Sequence, residues 1–253
     1  MNYRLKIGRF AGVDLFIHWT FLFSPIYVAL DGWRNGFTVA QVMVLQLLLI
    51  AVFACIVCHE LGHALAARLF SIRTRDIIIT PIGGLARLEK MPRKPQQELV
   101  VTFAGPLANL FIAMILSLVV WLTRSSLVPR AAFPELVDFP IILIWINLFL
   151  FVFNLIPAFP MDGGRILRSS LGLILDFERA TLIAAALGKL LAFGFIGFGL
   201  GILIFQSWLP GEFLGWANPL ALPLLLIGMF VYFAARSEIS YSRYLVKTAG
   251  RAR

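Results

Sequence analysis

A chain of 253 residues that is 60% hydrophobic and only 14% charged carries more apolar side chain than a water-facing surface tolerates, which excludes an ordinary soluble domain. A net charge of +9 would suggest nucleic acid in a soluble protein. Here the basic residues sit in short segments between apolar runs, so they report membrane topology and no nucleic-acid partner is expected.

In chain order, Met1 to Asp14 alternates basic and apolar residues, and no small-residue cleavage pattern follows the first apolar run, so that run is expected to stay as a span. Windows of about 20 apolar residues, the length that crosses roughly 30 Å of hydrocarbon as a helix, fall at about 15–33, 42–66, 99–122, 139–157, 187–208 and 217–235. The expected fold is therefore an all-α polytopic membrane protein with six transmembrane helices. One domain is expected over 1–236, followed by a basic tail at 237–253. The loops at 34–41, 123–138 and 209–216 are too short for a further folded domain.

Lys and Arg are distributed unequally between the two sides. One side holds only Arg34, Arg124 and Arg130, and Lys189 lies near a boundary. The remaining basic residues place both termini and the loops after the second and fourth spans in the cytoplasm of a multi-pass cell-membrane protein.

Two segments do not read as simple helices. Residues 3–9 and 75–89 carry β-branched runs, the second broken by Pro81, Gly83 and Gly84, which predicts a small sheet beside the membrane on the cytoplasmic side. An ordinary loop is the plainer alternative. In Asn154 to Arg165, NLIPAFPMDGGR, Pro157 and Pro160 push the residues before them out of helical geometry, so the fourth span must end or break there. Broken backbone at membrane depth survives only against protein or a water-filled cavity.

His59, Glu60, Leu61, Gly62 and His63 spell HExxH near the end of the second span. On a helix, positions i and i+4 share a face, so both imidazoles can grip one zinc ion while Glu60 reaches an attacking water. A catalytic zinc needs three protein ligands and one open position. Asp162 is the strongest third ligand, because it sits at the same end of the fourth span as the histidines do of the second. His18, beside Trp19, better suits a headgroup anchor. Cys55, Cys58 and His59 also spell CxxCH, a haem-attachment pattern that would leave Glu60, His63 and Asp162 unexplained; apolar filling is the plain reading of both cysteines, and no disulfide is implied. Gly105 and Asn109, one helical turn apart, read as close helix packing more than chemistry. A transporter or receptor using the same histidines would spread polar residues along several spans, whereas here they gather at one depth.

With HExxH, PxGG ending at Gly83 and Gly84, AGPLAN from Ala104 to Asn109, and NxxPxxPxDG from Asn154 to Gly163, the chain resembles the site-2 protease family of intramembrane zinc metalloproteases. The opening GRFAGVDLFIHW, from Gly8 to Trp19, is similar to the branch that includes the sporulation-factor proteases rather than the branch with a PDZ domain. The resemblance implies one Zn2+ per chain held by His59, His63 and Asp162, with Glu60 as general base and Asn154 near the substrate or the developing oxyanion. It implies a core of the second to fourth spans, gated by the flanking ones. The implied partners, besides the lipid bilayer, are single-span membrane proteins such as transcription regulators or anti-sigma factors. The strand-like region around Gly83 and Gly84 is expected to pair with an unwound substrate segment. Members of that branch often carry a CBS pair after the last span; only Ser237 to Arg253 follow here, so nucleotide regulation through such a pair is not expected.

Overall fold

Alternating apolar residues near the start of the chain and again after residue 73 build a four-stranded sheet of order β1-β2-β3-β4. The computed structural model describes residues 4–81, 83–90, 92, 94–123, 138–205, 208 and 211–251. Strands β1 (Arg4–Phe10) and β2 (Val13–His18) are antiparallel. They are joined through Ala11 and Gly12, whose positive φ of 46° and 77° suits a tight hairpin turn that follows the strand twist. β2 then pairs in parallel with β3 (Thr74–Thr80). A parallel pair cannot close through a hairpin, so the chain crosses over through two helices before returning. β4 (Gly83–Leu88) folds back antiparallel on β3 and leaves its far side as a sheet edge.

The period-two pattern explains the burial. Val13, Leu15, Ile77 and Ile79 form a core with Phe53 and Ala64, whereas Asp76, one position out of phase, binds Arg87 through Oδ1 at 2.6 Å and Arg4 through Oδ2 at 2.8 Å. The Arg87 hydrogen bond is the main force holding the Asp76 carboxyl below its ordinary value, against the opposing effect of burial.

Two compact units divide the chain at residue 153, Met1–Phe153 and Asn154–Arg253. In the first, a 3-10 turn over Trp19–Leu22 precedes α1 (Phe23–Arg34). His18 caps that turn, accepting the Thr20 N–H at Nδ1, which gives this histidine a local role. The crossover continues into α2 (Val39–Leu69), whose start is a reciprocal capping box between Thr38 and Gln41. α3 (Pro95–Leu122) opens with proline in its first turn, where the missing N–H costs nothing. It lies so close to α2 that a Cβ at Gly62 would stand 2.5 Å from the Ala104 carbonyl oxygen, the small-residue approach common between membrane helices. α4 (Phe139–Asn154) follows.

In the second unit, α5 (Asp162–Leu171), α6 (Phe177–Phe205) and α7 (Gly211–Arg251) pack with the non-helical segment 155–161. Gly163 and Gly164 permit that segment to fold against α5: a Cβ at Gly163 would stand 2.2 Å from the Ile156 oxygen, and one at Gly164 2.7 Å from Phe159 N. Phe159 joins Ala184, Ala185 and Ala235 in the core of this unit. Arg168, 1% exposed, forms an ion pair with Glu238 of α7 and stacks over the Phe159 and Phe177 rings.

The protein is mostly helical with a small sheet, and it is a multi-pass membrane protein. Among the described residues, four helical stretches are long and apolar enough to cross a membrane: Val39–Leu69, Pro95–Leu122, Phe177–Phe205 and Ala217–Tyr244. Two of the six expected spans take another form. The first, 15–33, divides into β2, the 3-10 turn and the 12-residue α1. Sheet pairing with β1 and β3 claims its opening residues, whose apolar run hides a period-two pattern. The fourth stops at Asn154 after 16 residues, where Pro157 ends helical geometry. α6 begins ten residues before the expected 187, because Asp176 caps it by accepting the Arg179 N–H and so starts the helix in a charged stretch. α7 continues through Arg251, along most of the stretch read as a tail. Most of the 123–138 loop, residues 209 and 210, Arg93 and the last two residues lie outside the described residues.

Candidate metal centre

One face of α2 presents His59 and His63 on successive turns, with their Nε2 atoms 3.1 Å apart and their rings edge to face. Each imidazole is oriented from its other nitrogen by α3. His63 Nδ1 lies 2.8 Å from the Val101 carbonyl oxygen, which only accepts, so Nδ1 carries the proton and Nε2 the lone pair. His59 Nδ1 lies 2.6 Å from Asn109 Oδ1 in a buried hydrogen bond. With both Nδ1 atoms donating, two ring lone pairs point toward each other. That arrangement is repulsive without a positive centre and is the usual preparation of histidines for a metal. Gly105 makes room for it, since a Cβ there would stand 2.2 Å from His63 Nε2 and 2.8 Å from His59 Nε2. A thin, borderline-soft ion such as zinc, which favours neutral imidazole nitrogen, fits this donor set.

Glu60 leaves the same helix toward the sheet. Its Oε2 accepts the Ala86 N–H at 2.8 Å, so the carboxylate is tied to β4. A Cβ at Gly84 would stand 2.6 Å from Glu60 Cγ and 3.1 Å from Oε1, which explains the glycine: its missing side chain is the space Glu60 occupies. Gly83 has φ of 137° with open space around it, so it serves the backbone rather than the packing.

Of the residues singled out in the sequence, the fold brings His59, Glu60, His63 and Gly84 together. Asp162 is the first residue of α5 and Asn154 the last of α4, and both are assigned to the second unit. Gly105 and Asn109, read from sequence as packing residues, touch or orient the imidazoles instead. Asn147 of α4, which holds Asn109, escaped sequence reasoning; the available signal was a lone amide inside an otherwise apolar helix. The CxxCH alternative gathers no common site, because Cys55 is buried beside Asn147 Nδ2 at 3.2 Å while Cys58 is exposed.

Comparison with known proteins bears on the family. The family model described as Peptidase family M50 matches residues 47–137 and 125–195. A zinc metalloprotease of Methanocaldococcus jannaschii is 34% identical over 239 residues, covering 94% of this chain and 61% of that protein. Stage IV sporulation protein FB of Bacillus subtilis is 32% identical over 134 residues, 52% of this chain and 43% of that protein. The chain thus spans about three fifths or less of the length of these curated relatives. Among solved structures, a site-2 protease from Methanocaldococcus jannaschii superposes with a TM-score of 0.61 at 32% identity, over 94% of this chain and 95% of that one. The chain belongs to peptidase family M50, the site-2 protease family of intramembrane zinc metalloproteases.

Proposed function

We propose that this chain is an intramembrane zinc metalloendopeptidase, in which His59, His63 and Asp162 hold one zinc ion and Glu60 is the general base. The observation that carries it is the pair of Nε2 lone pairs converging at 3.1 Å, next to a carboxylate held against a strand. Asp162 is the third ligand by its motif and by its place at the head of a helix set by two backbone-packed glycines.

When bound, the ion supplies Lewis-acid activation of water and of the scissile carbonyl. The protein's own groups do the rest. With Oε2 occupied by the Ala86 N–H, Glu60 receives the proton of the attacking water on Oε1 and passes it to the leaving amine. Asn154, by its motif, is assigned the role of steadying the developing oxyanion with its amide.

The substrates are single-span membrane proteins, such as membrane-held transcription regulators or anti-sigma factors. A helical substrate hides its carbonyls in hydrogen bonds, so it must unwind first. β4 is an edge strand, and an unwound segment adds to it as a further strand beside Gly83 and Gly84. α1 and α4, about 18 and 24 Å long at 1.5 Å per residue, are shorter than the roughly 30 Å hydrocarbon layer, so six membrane passages need the non-helical residues beside them to complete two of the passages. The distribution of Lys and Arg then keeps both termini in the cytoplasm.

The test uses a purified transmembrane substrate and metal analysis together. Glu60→Gln is expected to reduce cleavage by about 10²-fold or more while keeping its zinc, and Asp162→Ala to lose zinc. Normal cleavage by Glu60→Gln removes the base assignment, and full zinc content in Asp162→Ala removes the ligand set.

A further inference from the structure

An asparagine beside a histidine does not by itself choose the histidine's tautomer. The amide is nearly symmetric in shape, and turned by half a rotation it offers N–H in place of oxygen to the same ring nitrogen. Had Asn109 turned that way, the proton of His59 would move to Nε2 and cover the lone pair a metal needs. Something must therefore break the symmetry.

The break lies two links away, wholly within the first unit. Asn147 Nδ2 is 2.8 Å from the Leu143 carbonyl oxygen, one turn back on α4. A carbonyl only accepts, so this end of the Asn147 amide is its NH2 group and the other end is its oxygen. That oxygen is 2.8 Å from Asn109, so the Asn109 atom facing it is Nδ2. Asn109 Oδ1 then faces His59 Nδ1 at 2.6 Å and fixes the proton there. Both asparagines are 0% exposed, which leaves no bulk water to supply an alternative partner. His63 needs no such relay, because the Val101 carbonyl sets its tautomer directly.

We propose that Asn147 is a positioning residue for the metal centre: it locks the orientation of Asn109 and thereby the Nδ1–H tautomer of His59, which keeps Nε2 open as a ligand. This rests on the zinc reading above. It assigns a function to the polar residue buried in the middle of α4.

The experiment uses the full chain in detergent, with zinc affinity measured by competition with a chelator. It also uses 15N-histidine spectra of the metal-free protein, taken about two pH units above the ordinary imidazole value. The wild type is expected to show His59 and His63 both protonated on Nδ1. Asn147→Leu is expected to bind zinc about 10- to 100-fold more weakly and to shift His59 toward the Nε2–H form, with His63 unchanged. Adding Asn109→Asp should restore affinity to within a few-fold of wild type, because a carboxylate only accepts and has no orientation to choose. A merely structural role for Asn147 predicts neither the change confined to one ring nor that rescue.

The proposal is overturned if wild-type His59 is protonated on Nε2, a result independent of how any variant folds. It is also overturned if Asn147→Leu keeps tautomer and affinity, or if the double variant binds no better than the single. Zinc retention by His59→Ala would remove the parent reading, whereas its loss there with none in Asn147→Leu removes the relay alone.

Discussion

A single methyl group separates the two tasks of the site. At Gly105 it would press on both imidazoles, so Gly105→Ala is expected to lose bound zinc, seen as a drop in metal content per chain. At Gly84 it would displace Glu60 and leave the imidazoles alone, so Gly84→Ala is expected to keep zinc and lower cleavage by about tenfold or more, read in the transmembrane-substrate assay. The HExxH residues were legible because their geometry is local: one helix fixes their spacing. The tasks of Gly84, Gly105, Asn109 and Asn147 were not, because each depends on which face meets which across a tertiary contact. A glycine or a buried amide looks the same in sequence whether it fills space or serves a neighbour.

Among the elements, β2 shows how an apolar run can mislead. Val13, Leu15 and Ile17 alternate within a stretch continuous with the apolar α1, so composition favoured one long helix where pairing gave a strand. β3 and β4 were legible from the turn between them, since Pro81, Gly83 and Gly84 interrupt any helical reading, and β1 from its alternation of basic and apolar residues. Asp76 ties β3 to β1 and β4 through Arg4 and Arg87. Its carboxyl is held below the ordinary 3.8, so its contribution to stability is present above that value and is lost as pH falls through the lower folded-state value. Hydrogen exchange in the β3 amides is expected to accelerate in this acid window, and Asp76→Asn to remove that pH dependence. In the second unit, Arg168 holds α5 to α7. Its side chain is 1% exposed and that of Glu238 20%. Removing one partner of such a pair costs about 3–5 kcal/mol, so Arg168→Met is expected to lower thermal stability in detergent. Arg168→Met with Glu238→Leu should recover much of that loss, since no unpaired charge remains.

Over the whole molecule, composition alone identified the solvent. Exposed Met43, Leu47, Ile50, Phe193 and Phe233 would drive aggregation in water and suit lipid instead. The chain is expected to remain in the membrane pellet after alkaline washing and to require detergent for release. Reporter fusions at the two ends should both give the cytoplasmic signal, and opposite signals would revise the inside-outside assignment. The two expected spans that fell short were those next to a strand and a proline, where hydropathy averages over a change of backbone geometry.

The length of α2 also acts as a ruler. Its 31 residues extend about 46 Å at 1.5 Å per residue, well beyond the roughly 30 Å hydrocarbon layer. From the capped start at Val39 to His59 is about 30 Å on the same scale. If the polar cap stays among the headgroups of one leaflet, the paired imidazoles arrive where the opposite leaflet gives way to hydration. The reaction can then draw its water from the rim of the bilayer, and no channel through the greasy middle is needed.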